Sequence, residues 1–295
     1  MKENVLLTGA TGFVGRNILE DIRSKFNVFC LVRRKTKLDN QILLKNPEQC
    51  DPEIYKKLIY EYDVNHIIHV AAITGEKAVS WQKYYITNVL WTKNLALGFL
   101  KANIGQGSFI FVSTVGVYGT IPKKLPADEK TPYNPDGKYH LSKVLAEKEL
   151  LNLNRQFNFS LYILRPTIMY GKYDYGFLYK ISRLKFPIFF NPLIHLLDVK
   201  KMGIVCLKLL RKRSSGIYNL CDDTPIKLGD LFDATEFPTK FCMLHKIFPA
   251  FINIRLKLLC YSWYYDNSKV KKDLKIKFGK TKDNLKKYMW WYKWV

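Results

Sequence analysis

Residues 4–22 read NVLLTGATGFVGRNILEDI, and the folding of this stretch sets the architecture of the chain. Val5-Leu6-Leu7 is a short apolar run of the kind buried on both faces of a parallel sheet. It passes directly into Gly9, Gly12 and Gly15, and then into an amphipathic stretch carrying Phe13, Val14, Ile18, Leu19 and Ile22. The pattern is strand, tight turn, helix. Glycines in such a turn let the backbone approach a pyrophosphate, and the helix start offers free N–H groups at the positive end of its dipole.

Working outward, strand and helix patterns alternate through the first half, which predicts a parallel sheet with helices on both faces. Asn27–Val32 reads as the second strand and Ile42–Leu44 as a short third. Asp51-Pro52-Glu53 reads as a helix start, with Asp as cap and Pro in the first position. Further on, Lys138–Asn152 reads as one long helix bearing Tyr139 and Lys143. Residues four apart share a helix face, so the lysine lies beside the tyrosine. A free tyrosine, with pKa of about 10, is a poor base at neutral pH. A neighbouring ammonium, together with the positive ring of a nicotinamide cofactor, favours the phenolate and brings Tyr139 into a useful range.

Glycine turn and Tyr-x-x-x-Lys pair together resemble the extended short-chain dehydrogenase/reductases, a family of nucleotide-sugar epimerases, dehydratases and reductases. Further motifs follow in the family's order. Ile67–Ala72 resembles its fourth strand, Thr87-Asn88-Val89 its Asn-containing helix, and Phe111–Gly119 its fifth strand with the catalytic Ser/Thr. Leu164–Thr167, Tyr170-Gly171 and Gly216–Leu220 resemble later segments. The resemblance spans residue 3 to about 222 and returns weakly near the C-terminus. It implies an α/β Rossmann fold, a doubly wound parallel sheet with a small, mostly helical C-terminal substrate domain. Residues 1–165 are expected to form the dinucleotide-binding domain, with 196–222 returning to it. Residues 166–195 and 223–295 are expected to bind substrate.

The resemblance also implies roles. Gly9, Thr11, Gly12, Phe13, Val14 and Gly15, with Ala71, Ala72, Asn88, Pro166 and Thr167, are expected around the cofactor, and Lys143 on its ribose. Thr74 and Arg183 are expected near the substrate. The family's active hydroxyl stands five residues before the glycine that closes its fifth-strand motif, which is Thr114 here. Alternation along the strand sends Ser113 to the opposite face, where a bond to backbone is expected. Thr114 would steady charge on a substrate oxygen while Tyr139 handles the proton. Sugar-nucleotide dehydratases carry Asp-Glu directly after that threonine. This chain has Val115-Gly116, so a 4,6-dehydratase is not expected.

NAD-specific members place a carboxylate at the end of the second strand. Arg33 stands there, followed by Arg34, and guanidinium groups suit a 2′-phosphate. NADP is expected, with NAD as the alternative. The counterpart of the family's polar substrate stretch, Phe189–Val199, is apolar and short. Within it His195 is expected to be structural and Asp198 to cap the next helix. A nucleotide-linked sugar is the expected substrate. The alternatives are a hydrophobic alcohol, as for 3β-hydroxysteroid-dehydrogenase-like reductases, and a catalytically silent NADP-sensing protein.

Lysine and arginine outnumber the acids 48 to 25, a net +23. Such a surface draws anions. No nucleic-acid motif accompanies the charge, so the expected partners are a small-molecule substrate, an anionic membrane met peripherally and a second copy of the chain. Leu184–Leu197 and Cys242–Tyr265 are apolar and aromatic, and the tail KTKDNLKKYMWWYKWV mixes lysine with tryptophan. That composition suits either an interfacial surface or a packed helix. Six scattered cysteines suggest neither metal nor disulfides, and no signal peptide is read, so a cytoplasmic protein is expected.

Overall fold

The computed structural model describes residues 2–74, 79–102, 107–181, 191–235 and 258–294. The chain divides into two compact units: Met1–Val117, Pro135–Arg165 and Met202–Tyr218 form the first, and Tyr118–Asn134, Pro166–Lys201 and Asn219–Val295 the second. The segment grouped with the first unit is thus shorter than the expected 196–222, and Tyr118–Asn134 joins the second. Residues 196–199 make backbone pairs within the second unit, to Ile168–Tyr170, which draws this segment there.

A seven-stranded sheet organises the first unit. Its strands are β1 (Asn4–Thr8), β2 (Asn27–Val32), β3 (Gln41–Leu43), β4 (His66–His69), β5 (Ser108–Val112), β6 (Ser160–Pro166) and a later strand at Gly216–Leu220. From one edge the order is Gly216–Leu220, β6, β5, β4, β1, β2, β3. Pairings β1–β2, β1–β4, β2–β3, β4–β5 and β5–β6 are all parallel. The order reverses between β1 and β4, the switch point where doubly wound sheets open a crevice beyond their strand ends. Burial of strands on both faces explains their continuous apolar runs: Val5, Leu6 and Leu7, like Phe109, Ile110 and Phe111, are fully buried.

Helices α1 (Phe13–Ile22), α2 (Pro52–Glu61) and α5 (Lys138–Phe157) fall where the sequence places them, α5 running five residues past its expected end. It stops where Asn158 adopts the left-handed conformation (φ 46°), a place asparagine tolerates. Asp51 caps α2, accepting from the backbone N–H groups of Glu53 and Ile54. Before β5 the chain runs through α3 (Trp81–Tyr84), a π-helical turn (Tyr85–Leu90) and α4 (Trp91–Lys101). Short π segments often mark functional positions.

The second unit has two small sheets, Ile168–Tyr170 parallel to Leu196–Asp198 and Leu193–Ile194 antiparallel to Ile226–Lys227, together with helices. Buried carboxylates fasten its C-terminal segment. Asp222 accepts from Thr281 Oγ1 at 2.8 Å and Tyr170 Oη at 2.7 Å. Asp198 accepts from Tyr288 Oη at 2.7 Å, and Asp174 from Tyr292 Oη at 2.9 Å. Burial pushes the Asp222 carboxyl up to about 7 against these hydrogen bonds. Asp198 also accepts the Lys200 N–H at the start of the following helix. His195 accepts the Tyr265 N–H at Nδ1 and faces the Asp222 carbonyl through Nε2, a structural arrangement. In the tail, Trp291 is buried and donates to the Asp174 carbonyl, while Trp290 is half-exposed. Trp291 is therefore part of a core and not a free interfacial side chain. Most of Cys242–Tyr265 and half of Leu184–Leu197 lie outside the described residues. No helix among the described residues is long and apolar enough to cross a membrane.

The glycine turn is closed by the Gly12 N–H to Gly9 carbonyl bond at 3.0 Å. A Cβ on Gly15 would run into the Gly9 carbonyl and sit 2.9 Å from Ala10 Cα. Gly15→Ala should therefore lose about 1–3 kcal/mol, the usual cost of overpacking. A urea titration checks it: the midpoint falls while the slope stays constant.

Candidate active site

The glycine turn, the end of β4 and α5 are held together by one buried hydrogen-bond chain in the first unit. Thr8 Oγ1 accepts from the N–H groups of Val70 and Ala71, both at 3.1 Å. With both lone pairs occupied, its proton goes to His69 Nδ1 at 2.8 Å. His69 Nε2–H then donates to Thr92 Oγ1 at 3.0 Å, and the Thr92 hydroxyl to the Asn88 carbonyl at 2.8 Å. The Asn88 side chain spans Ile73, accepting its N–H at 2.8 Å and donating to its carbonyl, and also donates to Ser142 Oγ at 2.9 Å. Ser142 donates to the Tyr139 carbonyl at 2.7 Å. Burial, with Lys143 adding to it, lowers the His69 pKa to about 3, so the ring is neutral.

Gly9 adopts φ +73°, and a Cβ there would lie 2.8 Å from the Ala71 nitrogen, so only glycine lets the turn lie against β4's end. Ala71 and Ala72 are half-buried beside it. Thr11 and Gly12 are exposed at the tip, and Phe13 and Val14 open α1, which has no side-chain cap. Arg33 and Arg34 are exposed just past β2. Thr74 is exposed, and Arg183 lies outside the described residues. In the second unit Thr167 is buried, its hydroxyl donating to the His195 carbonyl at 2.6 Å; Pro166 closes β6.

On α5, Tyr139 is half-buried and Lys143 buried. Lys143 Nζ donates to the Val112 carbonyl at 2.7 Å and sits 4.2 Å over the Phe111 ring. Burial pulls its pKa down to about 7, opposed by the Glu147 charge. The expected lowering of the Tyr139 pKa is not what these side chains produce. Burial pushes the phenol up, Tyr84 adds to the shift, and the lysine is directed to β5 instead. A protonated phenol is the form that can donate to a ketone oxygen.

Two details of the Ser113-Thr114 pair also differ from expectation. Thr114 stands beyond β5, where its Oγ1 accepts the Gly116 N–H at 3.1 Å and caps a 3-10 turn at Val115–Tyr118. Ser113 bonds the buried Glu147 carboxylate and not a backbone acceptor. Glu147 in turn holds Arg165, its Oε2 2.5 Å from Nη2. Sequence reasoning passed over this pair. The signal was a charged residue four beyond Lys143, on the same helix face.

Glu48 was also passed over. It is buried, Oε1 pairs with Lys83 at 3.1 Å, and Oε2 has no partner among the described residues. Burial alone would raise its pKa, but a backbone hydrogen bond, Lys83 and the Arg33 charge hold it below the usual range. Among the described residues no cluster could hold a metal ion, and the described cysteines are free.

The chain matches the NAD dependent epimerase/dehydratase family over residues 5–184. It belongs to that family. Among curated relatives, it is 31% identical over 185 residues to the N-acetyl-alpha-D-glucosaminyl-diphospho-ditrans,octacis-undecaprenol 4-epimerase of Escherichia coli O157:H7 (62% of this chain, 54% of the relative). It is 30% identical over 181 residues to the UDP-glucose 4-epimerase of Vibrio cholerae (58% and 53%). The match thus spans about half the length of these relatives. The fold is similar to that of the Bordetella bronchiseptica enzyme WbmG in complex with NAD, at TM-score 0.79 and 18% identity, covering 99% of this chain and 94% of that one.

The first unit's residues fit a dinucleotide. The glycine turn leaves no side chain in the way, the uncapped start of α1 offers N–H groups, and Glu48 Oε2 is a buried acceptor with no partner among the described residues. Lys143 gives a separate test of the electrostatics. Its pKa lies near 7 in the fold and 10.5 in the ordinary state, so the unfolded chain binds more protons between those values. Stability contributed by this group therefore rises with pH across that window and is lost as pH falls toward 7. Unfolding titrations should show a rise from pH 7 to 10 that is shallower in Lys143→Met.

Proposed function

We propose that this protein transfers hydride at a hydroxyl or keto carbon of a nucleotide-linked sugar, as an epimerase or reductase. The observation carrying this reading is the bonded path from the glycine turn through His69, Asn88 and Ser142 to Tyr139. Gly9, Gly12 and Gly15 would admit the pyrophosphate, with Ala71, Ala72 and Asn88 lining the cofactor and Lys143 reaching the ribose. A nicotinamide dinucleotide, when bound, exchanges hydride with the carbinol carbon. Thr114 Oγ1 hydrogen-bonds the reacting oxygen, and Tyr139 Oη gives or takes its proton. The relatives named as sugar epimerases support the substrate class. Val115-Gly116, which supplies no acid and base, favours epimerase or reductase over 4,6-dehydratase. The E. coli relative, with the +23 charge, supports a sugar on a polyprenyl diphosphate as a second substrate form.

Purified protein given NAD or NADP and a panel of UDP-sugars tests this reading, with conversion of one of them expected. Tyr139→Phe should keep cofactor binding and lose at least about a hundredfold in turnover, the scale of general acid–base catalysis. Turnover near that of the unaltered protein would exclude the assigned acid.

The family's cofactor is NAD; the finer proposal is a preference for NADP. Arg33 and Arg34 are exposed where NAD-specific members place a carboxylate. Fluorescence titration should show tighter binding of NADPH than NADH, with the gap reduced in Arg33→Asp by roughly 1.5–3 kcal/mol, the worth of one charged hydrogen bond. Equal affinities in the unaltered protein would refute the preference.

A further inference from the structure

Beside Tyr139, within the first unit, sits a second pair of proton-handling groups that the hydride reaction does not use. His140 Nδ1 is 2.8 Å from Asp136 Oδ1. By itself this would be an ordinary helix pair four residues apart, worth little. Its surroundings distinguish it. A Cβ built on Gly116 would fall against the His140 imidazole, against Cδ2 and Nε2. The ring therefore fills the space that any side chain at position 116 would take. Gly116 is also the residue whose N–H bonds Thr114 Oγ1. His140 is thus wedged between Tyr139, whose ring centroid is 5.7 Å away, and the turn that carries Thr114. Asp136 accepts from Nδ1, which leaves the lone pair of the neutral ring on Nε2, and no described residue bonds that nitrogen. A carboxylate fixing one nitrogen so that the other acts as base is the logic of a catalytic dyad.

We propose that His140 is a catalytic base for the carbon next to the reacting carbonyl, with Asp136 as its positioning residue. The inference rests on the sugar-oxidoreductase reading above. Oxidation of a carbinol to a ketone acidifies the C–H bonds on the adjoining carbons. His140 Nε2 takes one such proton, and the C–H electron pair becomes the enolate double bond. The charge moves to the carbonyl oxygen, where the Thr114 and Tyr139 hydroxyls hold it. Asp136 stabilises the imidazolium. The ring exchanges its proton with water and returns one to carbon, restoring the ketone with no net change in redox state. The substrate class is a nucleotide-linked keto sugar, and the consequence is solvent exchange, and so configurational lability, at a carbon the hydride never touches.

The test supplies the ketone directly. Protein loaded with NAD is given a UDP-linked 4-keto hexose in D2O, and 1H NMR follows the protons at C3 and C5. One of them should exchange for deuterium, at a rate reduced about a hundredfold in His140→Gln and about tenfold in Asp136→Asn. The second variant keeps the imidazole and guards against misfolding of the first. Independently of turnover, 15N NMR of histidine-labelled protein should show the Nδ1–H tautomer at His140, and a mixture in Asp136→Asn. A merely structural pair would not link the tautomer to the exchange rate. A parallel incubation with NADH in H2O reports whether the ketone is reduced. Reduction without exchange, or unchanged exchange in His140→Gln, overturns the proposal and leaves the oxidoreductase reading standing. Neither reduction nor exchange overturns both.

Discussion

A neutral imidazole buried under the sheet is the constraint on which the first unit depends. Protonation of His69 is disfavoured there, because burial strips the ring of its hydration and Lys143 adds to the effect. It must therefore donate through one nitrogen and accept through the other, and Thr8 and Thr92 fill these roles in only one direction. The fixed direction is useful. Thr8 spends both lone pairs on the backbone that follows β4, and Thr92 passes its proton to Asn88. Buried networks of this kind are worth having only when every member is satisfied. Here the satisfied members run from the glycine turn to the helix that carries Tyr139.

Much of this was legible in the chain. TGATGFVG specified strand, turn and helix because glycine alone tolerates Gly9's positive φ and Gly15's approach to the turn. The four-residue spacing of Tyr139 and Lys143 specified a shared face. Spacing did not reveal what lies opposite that face. Lys143 points to the Val112 carbonyl, a backbone group that has no signature in sequence. The π turn around Asn88 was hidden for a similar reason: one extra residue in a turn leaves the composition of a helix unchanged.

Other misreadings came from local rules overruled by tertiary partners. Strand alternation placed Ser113 and Thr114 on opposite faces, but β5 ends at Val112, and the two hydroxyls are set by Glu147 and by the Gly116 N–H. For Trp291 the lysine-rich composition left an interfacial and a packed reading open, and the structure makes it a core residue bonded to Asp174. A helix carrying aromatics among lysines can bury one ring and expose the next, as Trp291 and Trp290 do. The Arg165–Glu147 pair shows the same limit, since its partners come from β6 and α5 and meet only in the fold.

Lys143 carries one more implication. An amine that titrates near neutrality is only partly charged when cofactor and protein meet. On the cofactor placement proposed above, ribose hydroxyls and a nearby pyrophosphate would favour its ammonium form. Association would then draw a proton from the buffer, and the heat of binding would include the ionisation heat of whichever buffer supplies it. The affinity would become a function of pH through a group that belongs to the protein. Proton inventory and ligand occupancy are in this way two readings of a single side chain.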